Sequence, residues 1–470
     1  MSPPLPPAEF ATEREPRLRL LIPLMVATGF LMEQLDTTIV TTAVPDMARS
    51  LHASAVQMNL AVSAYVLTLA VFIPLSSWCA DRFGARRVFI AALALFTLGS
   101  ALCGLADSFV ELVAMRVLQG LGGAMMTPVG RLILLRSFPR RELVRAMTYT
   151  TLPALIGPVL GPLVGGALTT YFSWRWIFAV NVPFGLLGIA LARRHLHDTE
   201  HDRGARFDVV GFALFGGGVA LLQGMLETAT HGGAALPLLA VAAVLLLAFG
   251  YHARRRRDAV VDLTLFRQRA FAIGTLAGGL CRVAMNGTAF LLPLMLQLGL
   301  GMTPLQSGSL TFAAALGSPL IRLALGPLLR RLGFTRLLVT SALAGSAALA
   351  GFALVDATWA RWSIIGYIVL FGMLRSTQFM SSNTLSYADL EPEHLSRATS
   401  LGGLLQQLTV SFGVSLGAAL LARLAGAQAP TLTQFHLTFM LLALLPLLAL
   451  PGFARLRASD GAQVSGYRPR

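Results

Sequence analysis

Two carboxylates stand where a carboxylate is hard to keep. Glu33 and Asp36 lie three residues apart in the stretch 31–47, LMEQLDTTIVTTAVPDM, so on a helix both look out from about the same face. The run 20–44 around them is otherwise apolar and, at about 1.5 Å per residue, long enough to cross a hydrocarbon core of roughly 30 Å. A charge at that depth persists where its face meets protein or a water-filled cavity, and such acids mark proton and ion pathways. The chemistry on offer is proton carriage, with Asp36 the expected principal carrier and Glu33 its assistant. The plainer alternative is structural: each acid paired with a buried arginine.

The rest of the chain must build that cavity. Of its 470 residues, 55% are hydrophobic and 13% charged, and the mean hydropathy is +0.69, the composition of an all-α polytopic membrane protein. All 37 basic residues are arginine. Arginine keeps its proton, so protons must move on acids or on the eight histidines. Without lysine there is neither a Walker A phosphate loop nor a Schiff base, which argues against an ATP-driven pump in this one chain. Cys79, Cys103 and Cys281 are widely spaced in apolar segments, as buried thiols are, and fit no disulfide framework or zinc site. The net charge of +15 sits between hydrophobic runs, where it sets topology rather than binding nucleic acid. The first 19 residues, Pro-rich and mixed in charge, do not read as a cleavable signal peptide.

Fourteen apolar runs are long enough to span: about 20–44, 56–79, 87–106, 109–135, 146–171, 174–192, 208–229, 234–252, 270–299, 306–329, 335–355, 361–382, 397–424 and 431–452. With a cytoplasmic N-terminus, the inside connections hold Arg82, Arg86 and Arg87; Arg136, Arg140, Arg141 and Arg145; Arg193, Arg194, Arg203 and Arg206; Arg254 to Arg257; and Arg330, Arg331 and Arg336. The outside ones hold chiefly Arg49, Arg175 and Arg361. That asymmetry places both termini in the cytoplasm.

An internal repeat appears at a constant offset of 249, where Gln57, Gly84 and Arg87 match Gln306, Gly333 and Arg336, while Arg116 and Gln119 match Arg375 and Gln378 at 259. Parallel six-helix halves with a site between them near the midplane are a transporter plan. The expected division is a cytoplasmic tail, 1–19; a six-helix bundle, 20–192; a linker with two extra spans, 193–269; a second six-helix bundle, 270–452; and a cytoplasmic tail, 453–470. The repeat skips 208–252, which reads as an accessory hairpin outside the transport path.

Two stretches read as gates. After the second span, Asp81 can cap or pair at a helix end, Gly84 permits a tight turn, and arginines such as Arg87 can bridge to a neighbouring helix. In the fifth span, Gly157, Gly161 and Gly165 form one smooth face and Gly166 follows; Pro158 and Pro162 remove backbone donors and allow a bend. Together the Asp81 loop, RVLQGLGG at 116–123, GPLVGG at 161–166 and LDTTIVTTAVP at 35–45 resemble motifs of the Major Facilitator Superfamily. With fourteen spans the likeness, along almost the whole chain, is to the fourteen-helix drug:proton antiporters (DHA2, EmrB/QacA-type), in the MdtD/HsrA-like branch. The resemblance implies a proton-coupled multidrug exporter of the bacterial inner membrane, working by alternating access among lipids, with protons and a small-molecule substrate as partners. It implies no cofactor, metal or catalytic residue, and a monomer is expected. Two positions depart from the pattern: Ser77 stands where a glycine usually opens the loop motif, and Arg330 where the second repeat would carry an aspartate.

Cargo is the open question. Arg116, Arg282, Arg322 and Arg375 lie within spans and outnumber the two acids; unpaired guanidiniums would favour an organic anion, such as a di- or tricarboxylate or its metal chelate. Gln34, Gln119, Asn286 and Gln378 could add neutral contacts to a cavity or charge relay, or bond between helices. The default cargo implied by the resemblance is a hydrophobic or cationic drug. A non-transporting sensor or scaffold is the reading from another class, and would not need acids at the centre of the first span.

Overall fold

The computed structural model describes residues 18–138, 140–196, 207–230, 235–256, 261–391, 395–426, 428–457 and 460–465. The expected N-terminal tail lies outside these up to residue 17, as do Arg203, Arg206 and Arg257 of the expected inside connections. The long helices are α1 (Leu18–Ile39), α2 (Asn59–Phe83), α3 (Ala85–Leu105), α4 (Phe109–Ser137), α5 (Arg140–Tyr171), α6 (Asn181–His195), α7 (Val209–Thr230), α8 (Ala235–Arg255), α9 (Arg269–Leu294), α10 (Pro304–Gly351), α11 (Arg361–Ala388), α12 (Leu395–Ala425) and α13 (Leu432–Ala454). Among the described residues, twelve helical segments are long and apolar enough to cross a membrane. Helix α5 and the part of α10 before Gly333 are further long stretches of helix beside them.

The repeat has a physical basis in backbone geometry. Ser54 and Gln57 close a reciprocal pair of side-chain to backbone bonds, 2.9 and 3.1 Å, before α2; Thr303 and Gln306 close the same capping box, 3.1 and 3.2 Å, before α10. Such a box satisfies helix-start N–H groups that would otherwise lack partners. Gly84 has φ 90° and Gly333 φ 68°, a backbone region that favours glycine, so each tight turn follows the box at the same distance. His52 and Gly301, again 249 apart, both adopt positive φ, 52° and 66°. The second turn leaves α10 broken at Gly333.

We call upper the end carrying the connections near 51–58, 300–303 and 426–431, and lower the end carrying Gly84 and Gly333. At the upper end one apolar cluster joins both halves of the chain, with Ile39, Met47 and Met58 packed among the same buried residues as Leu292, Met295, Phe352 and Phe435. Lower down, Phe89, Phe96 and Leu134 belong to one cluster and Phe334, Leu338 and Phe453 to another, while a fourth joins Ala70 of α2 to Phe215 and Phe249 of the inserted helices and to Phe271, Leu401 and Leu404. Four hydrogen bonds join 18–196 to 261–465 at upper positions: Gln297 to the Thr42 carbonyl, 3.0 Å; Leu305 N to Thr170 Oγ1, 3.1 Å; Ser411 to the Ser63 carbonyl, 3.3 Å; and Ser415 to Asn59 Oδ1, 3.2 Å.

Candidate proton and cargo site

Helix α1 carries both acids, and its own sequence fixes how it packs. Thr37, Thr38, Thr41 and Thr42 turn their hydroxyls back onto carbonyls three or four residues earlier, satisfying them locally. Gly157, Gly161 and Gly165 of α5 then meet Leu35, Thr38 and Ile39 so closely that an added Cβ would come within 3.0 Å of their atoms. The expected smooth face is present, and it clamps the acid-bearing helix. Gly166 instead meets Pro304 and Leu305 of the other half, next to Pro162, whose carbonyl a Cβ on Gly308 would strike.

Asp36 is fully buried and heavily bonded. Its Oδ2 accepts from Arg116 Nη1 at 2.5 Å, and its Oδ1 from Gln119 Nε2 at 2.8 Å and Asn181 Nδ2 at 3.2 Å. Arg116, equally buried, also donates to the Ala61 carbonyl at 2.9 Å and to Gln119 Oε1 at 2.8 Å, and its guanidinium lies 4.1 Å from the Tyr65 ring centre. An acid so placed is held by one matching cation and neutral donors, the arrangement a buried charge requires. Asn181, which the sequence reading missed, reaches Asp36 from α6 and also donates to Ser100 Oγ at 3.0 Å. Its signal was an amide within the apolar run 174–192.

Glu33, one helical turn away and 4% exposed, has a different environment. Its Oε2 accepts from the Thr127 hydroxyl at 2.5 Å. Arg131 on α4 is within electrostatic reach, but forms no ion pair with it. Thus the two acids divide: Asp36 is neutralised by a contacting arginine, and Glu33 is not. Gln34 is half-buried, and its Cβ lies where a Cβ on Gly157 would touch it, outside this polar network.

In the second half the expected residues do not converge. Arg282 is 8% exposed, donates weakly to the Gly274 carbonyl at 3.5 Å, and leaves its Nε without a partner. Arg375 is half-buried. Gln378 bonds to Ser341 and, at 3.5 Å, to Ser382, an interhelical role. Asn286 is half-buried against α12 near Gly413. Arg322 is exposed, as are Leu316 and Leu320 on the preceding turns of α10. Tyr387 of α11 lies within electrostatic reach of both Arg282 and Arg131, so these cations approach one space from opposite halves. A cleft of about 520 Å³ near Pro45, Arg49, Leu298 and Gly426 is at the upper surface, away from the acids.

The profile of the Major Facilitator Superfamily matches residues 26–414. The chain belongs to the Major Facilitator Superfamily. Among its relatives are proteins bearing the multidrug-resistance name MdtD: one from Pectobacterium carotovorum subsp. carotovorum (strain PC1) is 40% identical over 436 residues, 91% of this chain and 93% of its own. Another from Escherichia coli (strain 55989 / EAEC) is 40% identical over 446 residues, 91% of this chain and 92% of its own. Among solved structures, the POT family transporter PepTSo has a TM-score of 0.67 at 15% identity, over 95% of this chain and 98% of that one. A bacterial homologue of the human lysosomal transporter Spinster has 0.65 at 17%, over 96% and 99%. This member of the superfamily is therefore a multi-pass membrane transport protein of the MdtD-like branch.

Its superfamily loop motif is assembled as a helix-to-helix brace. Asp81 pairs with Arg136 of α4 at 3.1 Å, and Arg86 donates to the Arg193 carbonyl at 3.0 Å. Asp81 is thus bridged to Arg136 on α4, and Arg87 is exposed at the start of α3.

Proposed function

We propose that this chain exports small molecules in exchange for protons by alternating access, and that Glu33 is the acid whose proton changes the charge of the site. The observation that carries it is the unequal pairing of the two acids on α1. A proton on Asp36 would break its contact with Arg116, so Asp36 gives up its pairing only when the helices rearrange, whereas a proton on Glu33 breaks no arginine contact and leaves an oxygen that can still accept from Thr127. Both acids remain in the coupling role expected of them, with the order reversed. The relatives' multidrug-resistance name supports drug efflux.

Helix α5 and the first arm of α10 would complete fourteen spans, in two bundles, 20–192 and 270–452, around the linker 193–269. The lower end carries Arg82, Arg193, Arg194, Arg254, Arg330 and Arg331 and would face the cytoplasm, with the tails 1–19 and 453–470 on that side. The joined upper core and the hydrogen bonds between halves at the upper positions then support an inward-open state. Asp81, Gly84 and Arg87 with the α5 glycines would be gate elements, and Arg116 with Gln119 the charge relay.

The test is proton movement in proteoliposomes under an imposed pH gradient, with ethidium as the probe. Glu33→Gln should abolish ethidium-driven proton movement while retaining ethidium binding, and Asp36→Asn should uncouple it at least in part. Full coupling in both variants at unchanged expression removes the reading.

Arg282 favours a second cargo class. A desolvated guanidinium without a carboxylate partner costs about 2.5 kcal/mol or more at membrane depth; Arg282 has one weak carbonyl contact and the Phe379 ring at 5.7 Å, and with Arg131 approaching the same space a carboxylate ligand would offset it.

A further inference from the structure

Helix α7 does more than extend the hairpin between the repeats. Near its upper end Gln223 and Glu227, one turn apart, face a polar cluster formed by Asn59 of α2 and Ser415 of α12. Glu227 Oε2 accepts from Asn59 Nδ2 at 3.2 Å, and Glu227 Oε1 lies 3.0 Å from the Ser415 hydroxyl, which is also 3.2 Å from Asn59 Oδ1. Gln223 donates to Ser415 Oγ. Asn59, Ser415 and Gln223 are each at most 2% exposed, so these groups depend on one another for hydrogen bonds. Asn59 belongs to the first half of the chain and Ser415 to the second.

We propose that Glu227 is a positioning residue of the upper seal: its carboxylate holds Asn59 and Ser415 together across the two halves and makes α7 part of the gate, so the seal opens only when this cluster is broken. The inference rests on the alternating-access reading above. It follows from the geometry of one side chain with an oxygen on each half. It also replaces the expectation that residues 208–252 stand outside the transport path.

Spin labels on Ala55→Cys and Ala429→Cys, one on each side of the upper cleft, would report the seal by pulsed distance measurement in proteoliposomes; the native Cys79, Cys103 and Cys281 are buried. Glu227→Ala and Ser415→Ala should each raise the population of the longer distance about fivefold, the scale of one net hydrogen bond. Their combination should do little more than either alone, because they remove the same contact. Glu227→Gln, whose amide oxygen still accepts from Ser415 but whose nitrogen cannot accept from Asn59, should lie between the parent and the alanine variant in protein of unchanged melting temperature. Parent-like distances in both alanine variants would overturn the proposal, as would a glutamine variant as open as the alanine one. A parent with a single distance population, with and without a pH gradient, would remove the alternating-access reading as well.

Discussion

Arg116 Nη1 lies 2.5 Å from Asp36 Oδ2 in a site where both side chains are closed to solvent. The two come from helices 80 residues apart in sequence, and between them they hold α1, α4 and, through Asn181, α6 in register. Removing one partner leaves the other charge buried and uncompensated.

Arg116→Gln should therefore destabilise the protein by about 3 kcal/mol, at the low end for a broken buried pair. The double variant Arg116→Gln/Asp36→Asn should recover more than half of the loss, since two neutral groups replace a stranded ion. Thermal melting in detergent checks both; a double variant no better than the single one would show that Arg116 acts through packing alone.

Cargo class turns on Arg282. If its free Nε is a ligand contact, Arg282→Gln should weaken succinate binding about tenfold, the scale of one charge-assisted hydrogen bond, and leave tetraphenylphosphonium binding unchanged. Equilibrium binding to purified protein decides it. A parent that binds no carboxylate, with a variant that gains affinity for the cation, leaves the drug reading alone.

The clamp of α5 on α1 predicts an unusual cost for a single methyl group. Gly161→Ala would bring a Cβ to 2.9 Å from Thr38 Cβ, and overpacking of this kind costs about 1 to 3 kcal/mol. Gly366→Ala on α11, with open space around its position, should be neutral or mildly stabilising, since alanine is the better helix former. Equal melting temperatures for the two variants would contradict the clamp.

A pH dependence follows at the lower end of α7. Burial opposes charge on Asp208, but the Gly211 amide at 3.0 Å, His252 at 2.8 Å and Arg256 at 3.4 Å outweigh it and hold the carboxyl below its usual range. A lowered folded-state value means that the stabilisation is fully present above the unfolded carboxyl's titration and is lost as pH falls through the folded one. The melting temperature of Asp208→Asn should lie below the parent's at pH 6 to 8, and the gap should close as pH falls below about 4. A gap that widens on acidification would reverse the sign.

The sequence by itself determined what is local. Apolar runs gave the helices, because a backbone in hydrocarbon must satisfy its own hydrogen bonds. The Gln57 and Gln306 match was legible because a capping box acts across three residues, and the match of Gly84 with Gly333 because positive φ selects glycine at one position. The acids at 33 and 36 announced a buried polar site through cost alone. Tertiary structure decided everything that depends on which helix faces which. It gave Arg116 and Asn181 to Asp36, left Glu33 with Thr127, exposed Arg322, and brought Glu227 between Asn59 and Ser415. Helical periodicity places residues on a face, but the direction of that face is set by packing between segments tens to hundreds of residues apart.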